Sequence, residues 1–287
     1  MSDKVTIRRS SPADLEATAR ICFEAFRDIS GRHNFPPDFP NVDVAQGLMD
    51  MVLNASFVWG VVAEHEGRVV GSNFLWEFDP IAGVGPVTVD PAAQSLSVGR
   101  RMMEALMERV REKRFVGVRL VQAAFNTRSM SLYTKLGYDV REPLLCLQGK
   151  PIGEGLPGFP VRPATEGDLA ACTAICRHIH GHERAGELAA AVARGSARVV
   201  ERAGRIVGYT TEIGFFGHSV ALSNDGLMSL IGAAEAFGGP GFLIPARNAE
   251  LLRWCLAKGL RNVQPMTLMS HGLYNEPRGA FLPSILY

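Results

Sequence analysis

The residues best suited to chemistry lie in a polar turn between Val87 and Arg101. A strand predicted at Val84–Val89 runs into this turn, which opens directly onto an amphipathic helix. The first N–H groups of a helix have no intrahelical partner, and the helix dipole adds partial positive charge there. An anion, typically a phosphate, fits such a turn, and Arg100 adds formal charge beside it. An ordinary capped connection between a strand and a helix fits the same residues.

A second segment, Asn126–Tyr138, reads Asn-Thr-Arg-Ser-Met-Ser-Leu-Tyr-Thr-Lys-Leu-Gly-Tyr. It resembles the form Asn-x-x-Ala/Ser-x-x-Leu-Tyr-x-Lys-x-Gly-Phe/Tyr of the GNAT family of N-acetyltransferases. The polar turn resembles the acyl-CoA pyrophosphate loop of that family, Gln/Arg-x-x-Gly-x-Gly/Ala after a strand ending in Val-x-Pro. Gln94 and Gly99 meet the loop pattern, and Pro91 fits the preceding strand.

The resemblance implies acyl transfer from acetyl-CoA, used as a co-substrate, to an amine that attacks the thioester directly and without a metal. It gives Tyr133 the role of general acid for the departing thiolate. A tyrosine titrates near ~10 and a thiol near ~8.5, so a hydrogen-bonding tyrosine can deliver that proton. A half-buried helical aromatic also fits Tyr133, and a plain helix cap also fits Asn126. The implied CoA-binding residues are Val87, Val89, Gln94, Ser95, Leu96, Ser97, Val98, Gly99, Arg100, Asn126 and Ser129.

The amine must lose a proton before it attacks, so the site needs a base or a chain of waters. The family often uses a glutamate on the strand before the loop, where this chain has Gly83, Gly85 and Pro86. Those residues suit the splaying of two neighbouring strands by which the family seats the pantetheine arm. Glu77 is the nearby candidate for the base, and a solvent-facing charge on a strand is the alternative.

The polar turn departs from the family pattern at Ser97, which stands where the first glycine is expected. A serine held at positive φ costs ~1 kcal/mol or more, and an ordinary backbone there costs nothing. The main prediction is an enzyme that transfers an acetyl or longer acyl group to a primary amine, with its site in the first half. Ser97, Leu96 and the missing strand glutamate favour a rival, a catalytically inactive GNAT-like module that binds CoA or another ligand.

The chain repeats itself in order, with Arg8 matching Arg162 and Asn126 matching Asn248. Each copy is patterned as a strand, a helix, two strands around a turn, and then alternating helices and strands. The fold class predicted is α/β (α+β), with two tandem GNAT-like domains, each a mixed, mostly antiparallel sheet flanked by helices. The second copy lacks the loop pattern, and Cys255 stands at the position of Tyr133. The predicted division is an acyltransferase domain at 1–148, a Gly- and Pro-rich linker at 149–158, and a degenerate copy at 159–287.

The composition excludes several classes of protein. Among 287 residues, 30 basic and 29 acidic side chains nearly cancel, which argues against a nucleic-acid partner. An odd number of cysteines, five, without a tight motif spacing, and the absence of a long apolar run predict a cytoplasmic protein without a membrane partner. His178 and His182 share a predicted helix face, but without further ligands in view we predict no metal. The expected partner is a small-molecule or peptide amine, and the expected state is a monomer or a homodimer.

Overall fold

The computed structural model of the protein describes residues 5–286, with every side chain in that range apart from that of Ser95. The first half of the chain mixes strands and helices. Its strands are β1 (Thr6–Arg9), β2 (Val58–His65), β3 (Arg68–Trp76), β4 (Ile81–Val84), β5 (Thr88–Val89), β6 (Gly117–Ala123) and β7 (Asp139–Gln148). Its helices are α1 (Leu15–Arg32), α2 (Val42–Asn54), α3 (Val98–Lys113) and α4 (Thr127–Lys135), and a 3-10 turn at Pro91–Leu96 precedes α3.

The second half repeats this order, and most of its helices and strands are shorter than their counterparts. Its strands are β8 (Val161–Pro163), β9 (Arg198–Arg202), β10 (Arg205–Thr210), β11 (Ser219–Ala221), β12 (Phe242–Pro245), β13 (Arg261–Gly272) and β14 (Ala280–Leu282). Its helices are α5 (Leu169–His180), α6 (Ala185–Ala193), α7 (Asn224–Gly232) and α8 (Ala249–Ala257). The segment 149–158, predicted as a linker, joins β7 to the stretch before β8 without forming a strand or a helix.

Within residues 5–286 the strands form two sheets. The larger has the order β1-β2-β3-β4-β6-β13-β7-β12, with β5 paired to β3, and the smaller has the order β14-β11-β10-β9-β8. All of these strand pairs are antiparallel apart from β4 with β6, which are parallel. The fold is therefore the mixed, mostly antiparallel α/β architecture that the sequence predicts.

The two halves exchange strands. Strand β13, from the second half, lies between β6 and β7 of the first, where Met266 is opposite Ala123 and Thr267 is opposite Pro143. Strand β7 in turn lies between β13 and β12 of the second half. Each half therefore completes the sheet of the other, which the sequence division at 149–158 does not reveal.

The same charged anchor opens both halves. Arg8 donates to both carboxylate oxygens of Asp14, at 2.9 and 2.7 Å. Arg162 donates to both oxygens of Asp168, at 2.8 and 2.9 Å. Each guanidinium holds the pKa of its aspartate below the usual range. Because both aspartates stand at the start of the first helix of their half, the pair is a structural repeat as well as a sequence repeat.

Helix α3 is held against the larger sheet by its apolar stripe. Val98, Met102, Leu106 and Val110 are all buried, with at most 5% of each residue exposed. The helix packs on β2, β3 and β5. Because burial of this stripe fixes the helix along its length, the N-terminus of α3 is held at the end of β5.

Candidate active site

Two strands of the larger sheet diverge beside α4. Strand β4 pairs with β6 from Ile81 to Gly83, but the following strand, β5, pairs with β3 instead. The change occurs at the cis peptide between Gly85 and Pro86, where the indole Nε1 of Trp76 donates to the Gly85 carbonyl at 2.7 Å. The separation predicted from the glycines and the proline is confirmed, and it leaves a gap between β5 and β6.

A cavity of about 240 Å³ occupies this gap. Its strand wall is formed by residues 84–87 and 120–123, and its floor includes Asn126, Ser129 and Tyr133 from the start and middle of α4. Four of the residues that the sequence assigned to one site therefore line one cavity, namely Val87, Asn126, Ser129 and Tyr133.

Tyr133 is nearly enclosed in this cavity wall, with 7% of its surface exposed. Burial raises the pKa of its phenol above the ordinary value, because desolvation penalises the phenolate. The hydroxyl therefore keeps its proton at neutral pH and can act as a donor. Tyr138, which is also buried, points its hydroxyl at Met107 Sδ, 3.3 Å away, and does not line the cavity.

Asn126 caps helix α4 and faces the cavity at the same time. Its side-chain oxygen accepts a hydrogen bond from the backbone N–H of Ser129 at 3.1 Å. The Ser129 hydroxyl lies 2.8 Å from the side-chain amide of Gln122, another residue of the cavity wall. The cap fixes where α4 begins, so Tyr133, two turns further on, is held against the gap.

The N-terminus of α3 has the features expected of an anion site. Ser97 precedes the helix with φ 57° and ψ 21°, in the left-handed region, and its side chain makes no capping hydrogen bond. Asp90 caps the earlier 3-10 turn by accepting from the N–H of Ala92 at 2.9 Å. The first N–H groups of α3 are therefore available to a ligand. The side chains of Val98 and Leu96 pack into the core, so these two residues offer their backbone only.

Asp38, on the connection between α1 and α2, lies in the same cavity as Tyr133. Burial raises the pKa of its carboxyl, and a 2.9 Å hydrogen bond from the Gln264 side chain opposes that shift. A carboxylate with a raised pKa in a largely apolar cavity suits a general base. Asp38 was not predicted as a site residue. Its only signal in the sequence is a single acid in the run Phe-Pro-Pro-Asp-Phe-Pro at 35–40.

Residues 23–138 match the family model described as the acetyltransferase (GNAT) family. That span contains the diverging strands, the turn before α3, and both Asp38 and Tyr133. Residues 23–138 are therefore a GNAT-family segment of the chain.

Three proteins are similar to this chain over part or all of its length. A mycothiol acetyltransferase from Nocardia farcinica (strain IFM 10152) is 40% identical over 77 residues, so the chain spans about a quarter, 25%, of this curated relative. A solved acetyltransferase structure from Pyrococcus horikoshii superposes with a TM-score of 0.74 at 18% identity, covering 100% of this chain and 96% of that one. A tandem GNAT protein of the clavulanic acid biosynthesis pathway superposes with a TM-score of 0.55 at 13% identity, over 94% and 98% of the two chains.

The remaining loop residues of the GNAT site are held by neighbouring side chains. Arg128, at the start of α4, donates to the side-chain oxygen of Gln94 at 3.0 Å and also to its backbone carbonyl. Arg100 pairs with Glu104 at 2.8 Å on the exposed face of α3. Val89 pairs with Gly71 on β3 and is half-buried, Gly99 is the second residue of α3, and the side chain of Ser95 lies outside the described part of the chain.

The structure does not bring Glu77 to this GNAT cavity. Its carboxylate accepts two hydrogen bonds from Arg109, at 2.7 and 3.0 Å, and Glu77 is not among the described residues that line the cavity. The sequence expectation of a base at Glu77 is therefore corrected, because the acid is paired with a cation on α3 instead of facing the gap. Asp38 is the carboxylate that lines this cavity together with Tyr133.

The far end of the cavity is closed by the second half of the chain. Phe215, Phe216, Gly239, Pro240, Ile285 and Leu286 line it together with Phe26, Phe39 and Leu48 of the first half. The Ile285 N–H donates to the Phe215 carbonyl at 2.7 Å, which ties the C-terminal segment to this wall. The catalytic candidates come from one half, and much of the enclosure comes from the other.

Two further expectations concern metals and membranes. Within residues 5–286, no group of three or more His, Cys, Asp or Glu side chains is arranged to hold a metal ion. His180, from the histidine run, instead lies with its Nε2 3.0 Å from His218 Nε2. Among the described helices, none combines the length and apolar character needed to cross a bilayer.

Proposed function

We propose that this chain is an acetyl-CoA-dependent N-acetyltransferase that acts on a primary amine, with its site in the first half. The observation that carries the proposal is that Tyr133 and Asp38 line one cavity, which opens where β5 and β6 diverge. A proton donor and a proton acceptor in one enclosed gap match the two proton transfers that amide formation needs.

The residues around the gap fit acetyl-CoA. The uncapped N-terminus of α3, preceded by Ser97 and begun by Val98 and Gly99, offers backbone N–H groups to a pyrophosphate. Val87, Asn126 and Ser129 line the same cavity as Tyr133, which suits them to hold the pantetheine arm. When bound, acetyl-CoA supplies a thioester whose carbonyl carbon accepts the amine.

The proton transfers follow from the two cavity side chains. Asp38 accepts the proton that the ammonium form of the acceptor must lose before attack. As the new C–N bond forms and the C–S bond breaks, the phenol of Tyr133 gives its proton to the departing sulfur. The second proton lost from nitrogen returns to the phenoxide through solvent. Confinement of both partners in the gap supplies much of the rate enhancement, because it removes the entropy cost of bringing them together.

The second half is proposed to be a degenerate copy of the domain, without an active site of its own. Asn248 still caps its helix α8 by accepting from the Leu251 N–H at 3.3 Å, as Asn126 caps α4. Cys255 stands where Tyr133 would be, and burial raises the pKa of its thiol to about 12, so it stays protonated. We retain the proposed division into 1–148, 149–158 and 159–287 as a description of the duplicated sequence, with strands exchanged across it.

The cell compartment and acceptor are proposed with the activity. All five cysteines are free and buried, which supports a reducing cytoplasm. The acceptor named for the mycothiol acetyltransferase is not carried over, because that alignment reaches only 25% of either protein.

One observation favours the rival function, a CoA-binding module without catalysis. Ser97 sits at φ 57°, where a glycine is easier to hold, and the loop has not kept that glycine. Thermal unfolding with acetyl-CoA tests binding, and release of free CoA thiol with a panel of amines tests catalysis. The proposed enzyme is stabilised by acetyl-CoA and releases thiol when an amine is added. Stabilisation without release identifies the rival, and an unchanged melting temperature contradicts both.

A further inference from the structure

The chemistry of the cavity beyond Tyr133 defines a class of acceptor. We propose that the acceptor is a small primary monoamine with an apolar body and without a carboxylate or phosphate. This inference rests on the proposed acetyl transfer and adds the identity of the amine to it. It is carried by the charge and the apolar character of the walls around Asp38.

The charge of the cavity is negative and comes from one residue. Of the described residues that line it, Asp38 alone has a formal charge at neutral pH, and none is a lysine, an arginine or a histidine. An ammonium group entering the cavity therefore meets an opposite charge. A carboxylate on the same molecule meets no cation and is repelled by Asp38, so burying it is strongly unfavourable.

The wall beyond Asp38 is apolar and partly aromatic. Phe26 and Phe39 pack edge to face, with ring centroids 5.4 Å apart. Phe215 and Phe216 face them from the second half, and Met266 of the exchanged strand lies beside Gln264 and Asp38. An acceptor body of hydrocarbon or aromatic carbon removes this surface from water and is stabilised in proportion to the area covered.

The size of the cavity limits the acceptor further. Its volume of about 240 Å³ must hold both the end of the thioester arm and the acceptor. Within this cavity, a second ammonium group, as in a polyamine, finds no second carboxylate among the described lining residues. The monoamine class follows from one buried acid and an otherwise uncharged, largely apolar lining.

A matched pair of small molecules tests, with the wild-type protein, whether the cavity rejects an acceptor that carries a carboxylate. Phenethylamine and phenylalanine share a ring and an amine, and phenylalanine adds only a carboxylate. We expect kcat/KM, measured by thiol release from acetyl-CoA, to be at least about 100-fold higher for phenethylamine. Spermidine, a polyamine, is expected to be as poor as phenylalanine. Equal values for phenethylamine and phenylalanine, or a preference for spermidine, overturn the inference while leaving the acetyl transfer intact. Absence of thiol release with every amine overturns the proposed function and the inference with it.

A charge added at the cavity rim gives a second test. Val44 lines the cavity and is 47% exposed, so Val44→Arg places a cation at the rim with little risk to folding. We expect it to raise the kcat/KM of phenylalanine relative to phenethylamine by about 10-fold. Leu256 on α8 is also 47% exposed but lies outside the described lining, so Leu256→Arg is the matched control with an unchanged ratio. Leu48→Arg, one turn further along α2, repeats the test deeper in the cavity. An unchanged ratio in both cavity variants, or the same shift in the control, overturns the inference.

Discussion

The carboxylate of Asp38 accepts a 2.9 Å hydrogen bond from the side-chain amide of Gln264, which lies 226 residues further along the chain. Asp38 belongs to the connection between α1 and α2, and Gln264 belongs to β13, the strand that the second half inserts between β6 and β7. The second half therefore touches the candidate base directly.

The first prediction concerns Gln264→Met, which keeps the size of the side chain but removes the hydrogen bond. That bond lowers the pKa of Asp38 against the effect of burial, so its loss raises the pKa further. Because a base must be deprotonated, the acid limb of the kcat/KM profile should move to higher pH. Burial keeps the nearby thiols of Cys22 and Cys146 protonated, so they do not produce this limb. A limb that stays at the wild-type pH would show that Gln264 does not act through Asp38.

The second prediction separates the two acids proposed as the base. Asp38→Asn should lower kcat/KM by about 10²- to 10⁴-fold, the usual contribution of a general base. Glu77→Gln breaks the pair with Arg109 outside the cavity, so it should alter the free energy of unfolding more than turnover. Steady-state kinetics and urea denaturation of both variants make the comparison. If only Glu77→Gln loses turnover, Glu77 and not Asp38 is the general base.

The third prediction concerns the left-handed backbone at Ser97, with φ 57°. Ser97→Gly should increase the free energy of unfolding by up to about 1 kcal/mol, because glycine adopts this conformation without strain. Arg114, at φ 58° at the other end of α3, is the matched control. Arg114→Gly should stabilise by a similar amount and leave the Kd for acetyl-CoA unchanged, whereas Ser97→Gly should tighten it. Calorimetric titration measures both affinities, and a weaker affinity in Ser97→Gly would contradict the role of this turn.

The fourth prediction concerns the arginine–aspartate pair that occurs at the start of both halves. Arg162 holds the pKa of Asp168 below its unfolded value, so the pair stabilises the fold above that value and loses its effect as pH falls toward the folded pKa. Asp168→Asn should therefore lower the free energy of unfolding by about 1 kcal/mol at pH 7. This value is modest because Arg162 is partly exposed. Below pH ~4 the loss of stability should be smaller. Asp14→Asn should behave alike in the first half. Denaturation at both pH values checks this, and a cost that does not depend on pH would contradict the linkage.

The sequence predicted those parts of the site that depend on neighbouring residues. The run from Asn126 to Tyr138 contains its own helix cap and its tyrosine, so its place in the site followed from its resemblance to the family motif. The stripe from Val98 to Val110 predicted the helix, and Arg8 and Arg162 marked the repeat.

The parts that were missed depend on contacts between distant segments. Strand β13 pairs with β6 and β7 across the predicted division, and hydrophobic patterning does not specify which sheet a strand will join. Glu77 was assigned to the site because its partner, Arg109, lies 32 residues away and its pairing depends on how α3 packs. Asp38 was not predicted as a site residue, because the burial that suits it to act as a base depends on the second half of the chain.

The central claim is that Tyr133 protonates the departing thiolate in an acetyl transfer. The most direct measurement is release of free CoA thiol from acetyl-CoA by Tyr133→Phe, compared with the wild type and with Tyr138→Phe. The control also removes a buried hydroxyl, but one that contacts Met107 away from the cavity. We predict that Tyr133→Phe still binds acetyl-CoA but turns over about 10²- to 10⁴-fold more slowly, while Tyr138→Phe keeps its rate. Wild-type turnover in Tyr133→Phe, or equal losses in the two variants, would contradict the claim.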